Sequence, residues 1–401
     1  MLAATYGTPL YVYDLGVVRQ YARRLQSMLP RGVQIYYSAK ANPHPLVISA
    51  LSRLGMCIEV SSEGELDAAL AAAAPRDHIL YTGPAKTTRE LRRAIESGVR
   101  LFSVESRVDR DRLACVASHT DVAYLIRLVS AGGGGPVGLR MTGTPSQFGV
   151  DPAALPGSGL LNGEGRAHAA GFHVFSATNV KDEPALISEL AENISTVSAA
   201  IARNGIEAQI VDIGGGFSAP YAAPGSPPGY PRLRNALSSR LDNDLPGWRA
   251  GEPTIIVESG RYLVAAAGTL VTTVMDIKES GGNRYVICDA GINVLGGMYG
   301  LGRLVLPKAQ PESQSPDSEP SVLVGPLCTP LDTLSRAARA DQASIGGTLA
   351  IPNVGAYGLT ASLVTFLSRP IAAEVIVDGS TVVEARRLAV SETRLTLDPQ
   401  G

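Results

Sequence analysis

The sequence predicts an α/β fold in which a TIM-like (β/α)8 barrel is combined with a second, mostly-β domain. As far as Arg261, short β-branched or aromatic runs alternate with longer Ala-, Leu- and Arg-rich stretches. About eight such units in ~240 residues match the size of a (β/α)8 barrel. No Gly-x-Gly-x-x-Gly follows the first strand, which counts against a doubly wound dinucleotide-binding sheet.

The barrel elements follow one another as strand and helix. Each predicted strand is a short β-branched or aromatic run, and each predicted helix is a longer stretch rich in Ala, Leu or Arg. We expect strands at 34–38, 57–60, 78–81, 101–104, 123–128, 170–175, 209–213 and 254–257, and helices at 45–54, 63–74, 88–97, 106–117, 183–204 and 230–241.

After Arg261 the pattern changes to strands without long helices between them. These strands are predicted at 268–277, 284–288, 321–324, 348–351 and 372–377, and the strand-like 10–13 could join them. The predicted domains are therefore a barrel at 25–262 and a β domain formed by 1–24 with 263–401. A Pro/Ser/Glu/Gln-rich stretch at 308–320 predicts a surface loop, and the glycines at 132–135 a flexible joint.

The composition of the 401 residues excludes several classes of protein. Lys and Arg number 35 against 37 Asp and Glu, so no charge signature indicates binding to nucleic acid or a membrane surface. With 45% hydrophobic and 18% charged residues the chain can build large cores. Its apolar run around 262–275 is shorter than the ~20 residues that span a bilayer. The first seven residues lack the regions of a secretory signal, so we expect a cytoplasmic protein.

The cysteines and histidines do not indicate a metal site. The four cysteines form no Cys-x-x-Cys pair, and the five histidines lack His-x-x-x-His spacing. We therefore expect neither a disulfide framework nor a metal. Lysine is scarce and arginine abundant, so a mechanism that needs an amine nucleophile has few candidates.

Lys40 is the leading candidate for a reactive amine. It ends the first predicted barrel strand and precedes the turn-like 41–43, and barrel catalytic residues lie where strands end. In the apolar surround of 36–39 a lysine loses charge stabilisation, so its amine can become nucleophilic. A lysine that only reaches solvent from a strand end is the alternative, and the spacing alone leaves it open.

Three further segments place polar groups at barrel strand ends. Residues 211–217 (VDIGGGF) run from a strand into glycines whose amides could wrap a phosphate, although a tight turn explains them equally well. Residues 258–261 (ESGR) place a carboxylate and a guanidinium at one rim, or form a structural ion pair. Residues 171–176 (GFHVFS) offer an imidazole and a hydroxyl, or a buried structural histidine.

Two segments of the predicted β domain carry comparable chemistry. Residues 325–332 (GPLCTPLD) present a thiol and a carboxylate in a turn-rich loop, although a lone cysteine is usually an inert small hydrophobic residue. Residues 353–358 (NVGAYG) place a phenol in a Gly-flanked loop, where a packed tyrosine is the alternative.

In this order the six segments resemble the fold-type III pyridoxal-phosphate decarboxylases, the family of diaminopimelate and ornithine decarboxylases with an alanine-racemase-like barrel. The resemblance runs from residues 8–13 to 368–375. Ordered matches over most of the chain are far more specific than any single segment.

The resemblance implies pyridoxal 5'-phosphate as cofactor and a homodimer with active sites at its interface. Lys40 matches the lysine that holds the cofactor as a Schiff base. Cys328 matches the thiol that reaches in from the neighbouring subunit to protonate the decarboxylated intermediate. The remaining matches are to cofactor-binding residues: Gly214, Gly215, Gly216, Ser176 and Arg261 at the phosphate, His173 and Glu59 at the ring, Tyr357 near the phosphate, and Glu258 at the pyridine nitrogen.

Glu258 also bears on the type of reaction. A carboxylate keeps the pyridine nitrogen protonated, and a protonated ring is a strong electron sink, as loss of CO₂ requires. The related racemases carry an arginine there. Glu258 therefore favours decarboxylation over racemisation.

The sequence departs from the family pattern where substrates are held. Thr329 follows the thiol where diaminopimelate and ornithine decarboxylases have an acidic residue for the distal ammonium. Residues 289–299 lack the arginine that diaminopimelate enzymes use for the distal carboxylate. Ser259 replaces the usual proline, a mild change. We expect Thr329 and Asp332 to contact the substrate.

These departures argue against free diaminopimelate, ornithine, arginine or lysine as substrate. The CTPLD segment resembles the branch that decarboxylates amino acids linked to a carrier protein or a larger conjugate, such as carrier-linked glutamyl or aspartyl groups of antibiotic pathways. An acyl or peptidyl carrier protein is then the expected partner.

Three alternatives stay open at this point. The chain could be a diaminopimelate decarboxylase of lysine biosynthesis, a pyridoxal-dependent racemase or epimerase, or a non-catalytic relative that serves as a binding protein. A change of product chirality without CO₂ release would indicate the second. A missing absorbance band near about 420 nm would indicate the third.

Overall fold

The structure is a computed structural model that describes residues 1–130, 139–140, 147–296, 308–312 and 319–393. The joint predicted at 132–135 lies outside the described residues, and so does the centre of the predicted loop 308–320.

The chain divides into two compact units. The barrel unit contains Leu15–Pro220 and Gly225–Ala267, and the sheet unit contains Met1–Asp14, Tyr221–Pro224 and the chain from Gly268 onward. The sequence predicts these divisions at 24/25 and 262/263. The structure places a helix at Leu15–Met28 that packs against two other helices of the barrel unit. The buried side chains of that helix recur at helical spacing: Leu15, Val18, Tyr21, Ala22, Leu25 and Met28.

The described elements are numbered here in chain order. The helices are α1 (Leu2–Tyr6), α2 (Leu15–Met28), α3 (Pro45–Ser52), α4 (Glu63–Ala71), α5 (Thr88–Glu96), α6 (Arg107–Val116), α7 (Glu183–Asn204), α8 (Leu233–Asp244) and α9 (Arg261–Val264). The strands are β1 (Leu10–Asp14), β2 (Gln34–Ser38), β3 (Cys57–Val60), β4 (Ile79–Tyr81), β5 (Leu101–Val104), β6 (Val122–Leu128), β7 (Leu139–Arg140), β8 (Ala167–Val174), β9 (Ala177–Thr178), β10 (Ile210–Asp212), β11 (Thr254–Ser259), β12 (Gly268–Ser280), β13 (Asn283–Cys288), β14 (Ser321–Val324), β15 (Thr333–Ala338), β16 (Thr348–Pro352), β17 (Ala373–Asp378) and β18 (Thr381–Arg387).

Eight strands close the barrel in the order β10, β11, β2, β3, β4, β5, β6 and β8. Every neighbouring pair is parallel. Helices α3 to α6 connect β2 to β6 in turn, so each crossover covers the outside of the sheet. The predicted fold class, a TIM-like barrel with a mostly-β second unit, is confirmed.

An apolar layer fills the barrel interior. It takes at least one residue from every barrel strand, as only an inward-facing set can do, and its members touch one another. Because this layer blocks the barrel below, a polar site can form only beyond it, at the carboxyl ends of the strands. The layer consists of Tyr36, Cys57, Leu80, Leu101, Leu125, Ala170 and Ile256, with the partly buried Ala123 and Ile210 packed against it.

Strand β8 contains an irregularity that changes which side chains face inward. Its register against β6 shifts by one residue between Ala169 and Gly171. A Cβ at Gly171 would lie 1.8 Å from the carbonyl oxygen of Ile210, so only glycine fits there. The extra residue places His173 level with Arg127 of β6, and bulges of this kind re-aim side chains beside active sites.

The sheet unit is built on one sheet with the order β15, β14, β13, β12, β1, β17 and β18, and β16 also pairs with β12. The amino-terminal β1 lies in its interior, antiparallel to β12 and parallel to β17. Leu10, Ala373 and Val375 form a small buried cluster across these strands. The strand-like 10–13 therefore does join the later strands.

Among the described residues, no helix combines the length and apolar character needed to cross a bilayer.

Candidate active site

A layer of buried polar residues lies directly beyond the apolar layer of the barrel. On seven strands the polar residue follows the apolar one by two positions, which returns the side chain to the same face. On β8 the bulge lengthens this step to three. We call this set the polar layer: Ser38, Glu59, Thr82, Ser103, Arg127, His173, Asp212 and Glu258, all less than 9% exposed.

Lys40 borders the polar layer from the short 3-10 turn Ala39–Ala41 after β2. Its Nζ donates to both carboxylate oxygens of Glu59, at 2.9 and 3.0 Å. The hydroxyl of Thr82 donates to Glu59 Oε1 at 2.6 Å. The Lys40 side chain is 43% exposed, so the predicted apolar surround is wrong: an ion pair holds the amine at the mouth of the barrel.

Burial alone would raise the pKa of the Glu59 carboxyl. The adjacent Lys40 ammonium and hydrogen bonds from Thr82 and Ser38 outweigh burial and lower that pKa instead. Glu59 is therefore ionised at neutral pH. The sequence analysis named it only through the family resemblance, and the structure brings it into contact with Lys40.

His173 is a neutral imidazole in the centre of the polar layer. Burial lowers its pKa well below the ordinary value, and the charges of Arg127, Lys40 and Lys86 lower it further. Its Nδ1 lies 2.9 Å from the hydroxyl of Ser103. Its Nε2 lies 3.4 Å from Glu258 Oε1, and among the described residues neither of these two atoms has a hydrogen-bond partner.

Glu258 and Asp212 form a buried pair of acids. Burial raises the pKa of Glu258 to about 7, and the Glu59 carboxylate adds to the shift. Burial also raises the pKa of Asp212 well above its ordinary value, with the Glu258 charge as the second cause. Two carboxyls this close cannot both ionise readily, so the pair holds a proton at neutral pH when nothing positive lies beside it.

Residues 214–216 form a tight loop after β10, tied to the acid pair through the backbone. The Gly214 N–H donates to Asp212 Oδ1 at 2.8 Å, and the Glu258 N–H donates to the Gly214 carbonyl at 2.9 Å. Gly214 and Gly216 have φ values of +73° and +112°, and a Cβ on Gly215 would lie 2.0 Å from the Glu258 carbonyl oxygen. The chain passes here so closely that only glycines are accommodated.

Ser176 and Arg261 belong to the same unit as this loop. Ser176 is 2% exposed, and its hydroxyl donates to Glu189 of α7 at 2.9 Å. Arg261 is 6% exposed and begins α9. A Cβ on the preceding Gly260 would lie 2.9 Å from that of Ala41, so the start of α9 packs against the turn that carries Lys40.

The remaining candidates, Cys328, Thr329, Asp332 and Tyr357, belong to the sheet unit. Cys328 is exposed. The Thr329 hydroxyl accepts the Leu331 N–H at 3.3 Å. Tyr357 is partly buried with φ +54°, and its carbonyl accepts the Tyr221 hydroxyl at 2.9 Å.

Asp332 is not placed as a substrate contact. It is 2% exposed, and its two carboxylate oxygens accept the N–H groups of Ile292 and Leu327, each at 2.7 Å. Each oxygen of an ionised carboxylate can accept more than one hydrogen bond, so it is the burial of Asp332 that keeps a ligand from this carboxylate. The structure shows Asp332 in a structural contact, not in the substrate contact that we expected.

The described geometry combines an accessible amine, a buried acid pair and a glycine loop at one barrel mouth. Comparison with known proteins identifies the arrangement: residues 15–265 match the model of the pyridoxal-dependent decarboxylase family, described as its pyridoxal binding domain. The chain belongs to this family. It is a pyridoxal-phosphate-dependent carboxy-lyase, as the sequence analysis predicted.

Individual decarboxylases are similar to this chain along nearly their whole length. An L-glutamyl-[BtrI acyl-carrier protein] decarboxylase of Niallia circulans is 28% identical, over 98% of this chain and 94% of its own. A diaminopimelate decarboxylase of Methanothermobacter thermautotrophicus is 31% identical over 98% and 92%. A 2-[(L-alanin-3-ylcarbamoyl)methyl]-2-hydroxybutanedioate decarboxylase of Staphylococcus aureus is 29% identical over 90% and 92%.

Among solved structures, diaminopimelate decarboxylase of M. jannaschii in complex with L-lysine is 25% identical. It superposes with a TM-score of 0.77 over 95% of this chain and 89% of its own.

The residues of this decarboxylase fit the cofactor. His173 Nε2, Glu258 Oε1, Asp212 Oδ2 and Ser259 Oγ are buried without a hydrogen-bond partner among the described residues, which is costly unless a further polar group binds there. A protonated ring nitrogen would give the Glu258 carboxylate a positive partner. The exposed Lys40 amine is accessible to an aldehyde.

Five residues of the polar layer were not predicted as site residues: Ser38, Thr82, Ser103, Arg127 and Asp212. Arg127 donates to Glu105 at 3.0 Å and lies over the Phe148 ring, 4.7 Å from its centroid. A detectable signal was present, because each of the five stands two positions after an inward apolar residue of its strand. That spacing becomes informative only when the inward residues are known.

The decarboxylase also contains a fully buried ion pair beside the polar layer. Lys86 Nζ donates to Asp109 Oδ2 at 2.7 Å and to the Gly83 carbonyl at 2.6 Å, and both side chains are less than 5% exposed. The pair links the segment after β4 to the first turn of α6. Nothing in the sequence pattern distinguishes Lys86 from a surface lysine.

Proposed function

We propose that this decarboxylase removes the free α-carboxylate of a glutamyl or aspartyl group that is attached through its side-chain carboxyl to a carrier protein or a larger conjugate. We further propose that it is a cytoplasmic homodimer of a secondary-metabolite pathway of the antibiotic type. The observation that carries the substrate proposal is the placement of Asp332, the only acid in the loop that contains Cys328.

A free diamino acid carries a distal ammonium that needs an acidic partner. Thr329, at the position where the free-substrate enzymes have an acid, offers only a hydroxyl, which accepts the Leu331 N–H. Asp332 is buried and hydrogen-bonded to two backbone amides. Residues 325–332 thus provide no carboxylate for an ammonium group, which favours a substrate whose far end is an acyl linkage. Two relatives are named for acyl-linked or conjugated substrates.

The chemistry assigns distinct tasks to the named residues. Decarboxylation breaks the bond from Cα to the carboxylate, releases CO₂, and requires a proton at Cα. When bound, pyridoxal phosphate supplies the electron-withdrawing ring for the electron pair that CO₂ leaves behind. Lys40 would hold the cofactor covalently, Glu258 would hold a proton at the ring nitrogen, and Cys328 would deliver the proton to Cα.

The other residues bind and orient. Gly214, Gly215, Gly216, Ser176, Arg261 and Tyr357 are proposed for the phosphate, and Glu59 and His173 for the ring. The neutral His173 can cover the ring without adding a positive charge that would compete for Glu258.

The homodimer is supported by the surface of the sheet unit. Cys328 is exposed, and the same unit exposes Leu331 to 76%, Leu367 to 48% and Phe366 to 43%. Large apolar side chains exposed at a surface favour burial against another chain.

The substrate proposal is tested with the purified holoenzyme and L-glutamyl or L-aspartyl thioesters of an acyl carrier protein. Free L-glutamate, meso-diaminopimelate and L-ornithine are run in parallel. We expect the carrier-linked substrate to lose the mass of one CO₂ while the free amino acids stay unchanged. The Lys40→Ala variant is the control: it should lose both turnover and the absorbance band near about 420 nm. Turnover of free diaminopimelate alone would end the proposal.

A further inference from the structure

We propose that Asp332, assisted by Arg369, is a positioning residue that sets the conformation of the thiol loop, residues 325–332, and thereby the direction from which Cys328 delivers its proton. The inference rests on the proposed role of the thiol. It gives a buried carboxylate next to that thiol a task that substrate binding does not explain.

Asp332 ties the thiol loop to the turn after β13. Its Oδ1 accepts the Ile292 N–H and its Oδ2 accepts the N–H of Leu327, the residue before Cys328. The backbone of Asp332 closes the same loop, since its carbonyl accepts the Gly325 N–H at 3.0 Å and its N–H donates to Thr329 at 3.1 Å. Charge-assisted hydrogen bonds from backbone N–H groups to a buried carboxylate are among the strongest that a loop can make.

Two glycines enclose the Asp332 carboxylate. A Cβ on Gly291 would lie 2.3 Å from Asp332 Oδ1, and a Cβ on Gly325 would lie 2.4 Å from Oδ2. The Gly325 Cβ would also lie 2.2 Å from the Gly291 Cα, so the two strand ends pass in close contact. The carboxylate is therefore packed closely against the backbone of both strand ends, and its hydrogen bond fixes the position of Leu327.

Arg369 holds the loop from its exposed side. Its Nη2 donates to the Pro326 carbonyl at 2.8 Å. Pro326 and Leu327 are thus fixed by one side chain each, immediately before the thiol. With both hydrogen bonds in place, Cys328 has one preferred orientation toward Cα. A proton delivered from one direction gives a product of one configuration at Cα.

The Asp332→Asn variant removes one tie with no change in volume. An amide group presents one acceptor and one donor, so it can serve Ile292 or Leu327 but opposes the other N–H with its own. The matched control is Asp341→Asn, the same substitution at an exposed position of the same unit.

The first readout is hydrogen exchange of the holoenzyme by mass spectrometry. In Asp332→Asn we expect peptides over 325–332 to exchange at least about tenfold faster, the factor for losing one well-made hydrogen bond. Peptides over Gly268–Ser280 and the Asp341→Asn protein should match the wild type. Unchanged exchange of the thiol loop would overturn the inference without bearing on the substrate.

The second readout is the configuration of deuterium at Cα after turnover in D₂O. We expect the wild type to give one configuration and Asp332→Asn to give a mixture of both. We also expect Asp332→Asn to have a lower kcat than the wild type, with a smaller change in KM. Loss of folded protein reduces the amount of product but does not change its configuration. A product of one configuration, together with faster hydrogen exchange in the thiol loop, would therefore show that Asp332 has only a structural role and would refute the inference.

The probe is the L-glutamyl thioester of an acyl carrier protein, or meso-diaminopimelate if the wild type turns over only that. In the latter case the proposed substrate fails while the role of Asp332 is still tested. If Asp332→Asn does not fold, Arg369→Gln replaces it: this exposed side chain loses its bond to Pro326, and we expect the same two effects with smaller amplitude. No effect of Arg369→Gln would then count against the inference.

Discussion

The three buried acids at the barrel mouth differ in charge although they lie in one polar layer. Glu59 has a lowered pKa because Lys40 contacts it, whereas burial raises the pKa values of Glu258 and Asp212. The charge of Glu59 adds to the shift at Glu258, and the charge of Glu258 adds to the shift at Asp212. Without cofactor the acid pair therefore retains a proton that a cationic ring nitrogen would make unnecessary. The environment of each carboxyl decides its role, as is common where acids share a site.

The raised pKa of Glu258 predicts a pH-dependent stability of the cofactor-free protein. The unfolded chain loses this proton near its ordinary pKa of 4.5, and the native state keeps it up to about 7. Between these values the native state binds more protons, so the contribution of Glu258 to the free energy of unfolding falls as pH rises. Urea unfolding at pH 5 and pH 8 measures how far the free energy of unfolding falls between these values. We expect this fall to be smaller in Glu258→Gln than in the wild type, by roughly 1 to 3 kcal/mol.

The control for this measurement is Glu207→Gln, an exposed glutamate of the same unit, which should follow the wild type at both pH values. Equal pH dependence in wild type and Glu258→Gln would contradict the assigned protonation of the acid pair.

At the scale of single residues, the sequence was enough to name candidate residues but not to predict the contacts between them. Lys40 and Glu258 could be named from segments at strand ends, but the ion pair of Lys40 with Glu59 joins the turn after β2 to strand β3 and is visible only in three dimensions. Asp212 lies in the segment 211–217, two residues before its first glycine, but no role was predicted for it. Its role depends on contact with Glu258, which is distant in sequence.

Among elements, the barrel strands show how one short segment serves both stability and chemistry. Along β3, Cys57 packs in the apolar layer and Glu59 faces the same interior one step beyond. The same period of two recurs on β5 with Leu101 and Ser103. The orientation of the polar layer is thus fixed by the same pleat that packs the core.

The loop after β10 should tolerate no side chain. In Gly215→Ala the new Cβ would meet the Glu258 carbonyl oxygen, so we expect at least ~2 kcal/mol of destabilisation, the range for forced overpacking. Gly64→Ala is the control, because nothing lies near its Cβ in α4 and helix propensity predicts a gain of roughly 0.5–1 kcal/mol. Urea unfolding measures both; similar effects would show that the loop relaxes freely.

Strands with a strong hydrophobic signal were predicted from the sequence, and those without one were not. All eight barrel strands are rich in buried apolar residues and were found. Strands β15 (TLSRAA) and β18 (TVVEARR) were missed, since β15 is largely polar and β18 is an exposed edge strand. The bulge in β8 also escaped prediction, because it depends on the close approach of Ile210 to Gly171.

At the scale of the whole molecule, a site shared between subunits makes a distinctive prediction for mixed variants. Lys40→Ala and Cys328→Ala should each lose most activity when assayed alone. If each active site combines Lys40 of one chain with Cys328 of another, an exchanged equimolar mixture should recover up to about one quarter of wild-type activity, since half of the dimers are mixed and each of those has one intact site.

The control mixture pairs Lys40→Ala with the Lys40→Ala/Cys328→Ala double variant, which has no intact combination and should stay inactive. Recovery no greater than the sum of the separate residual activities would indicate a site completed within one chain.

The position of β1 has a consequence for the order in which the protein is made. A ribosome delivers Leu10–Asp14 first and both of its partners, β12 and β17, only after the entire barrel sequence has been translated. A nascent chain can therefore complete the barrel before the pairing partners of this apolar segment have been synthesised. Synthesis that stalls anywhere before β12 leaves Leu10 and Tyr11 exposed as a signal of an unfinished polypeptide, one that chaperones and proteases can recognise.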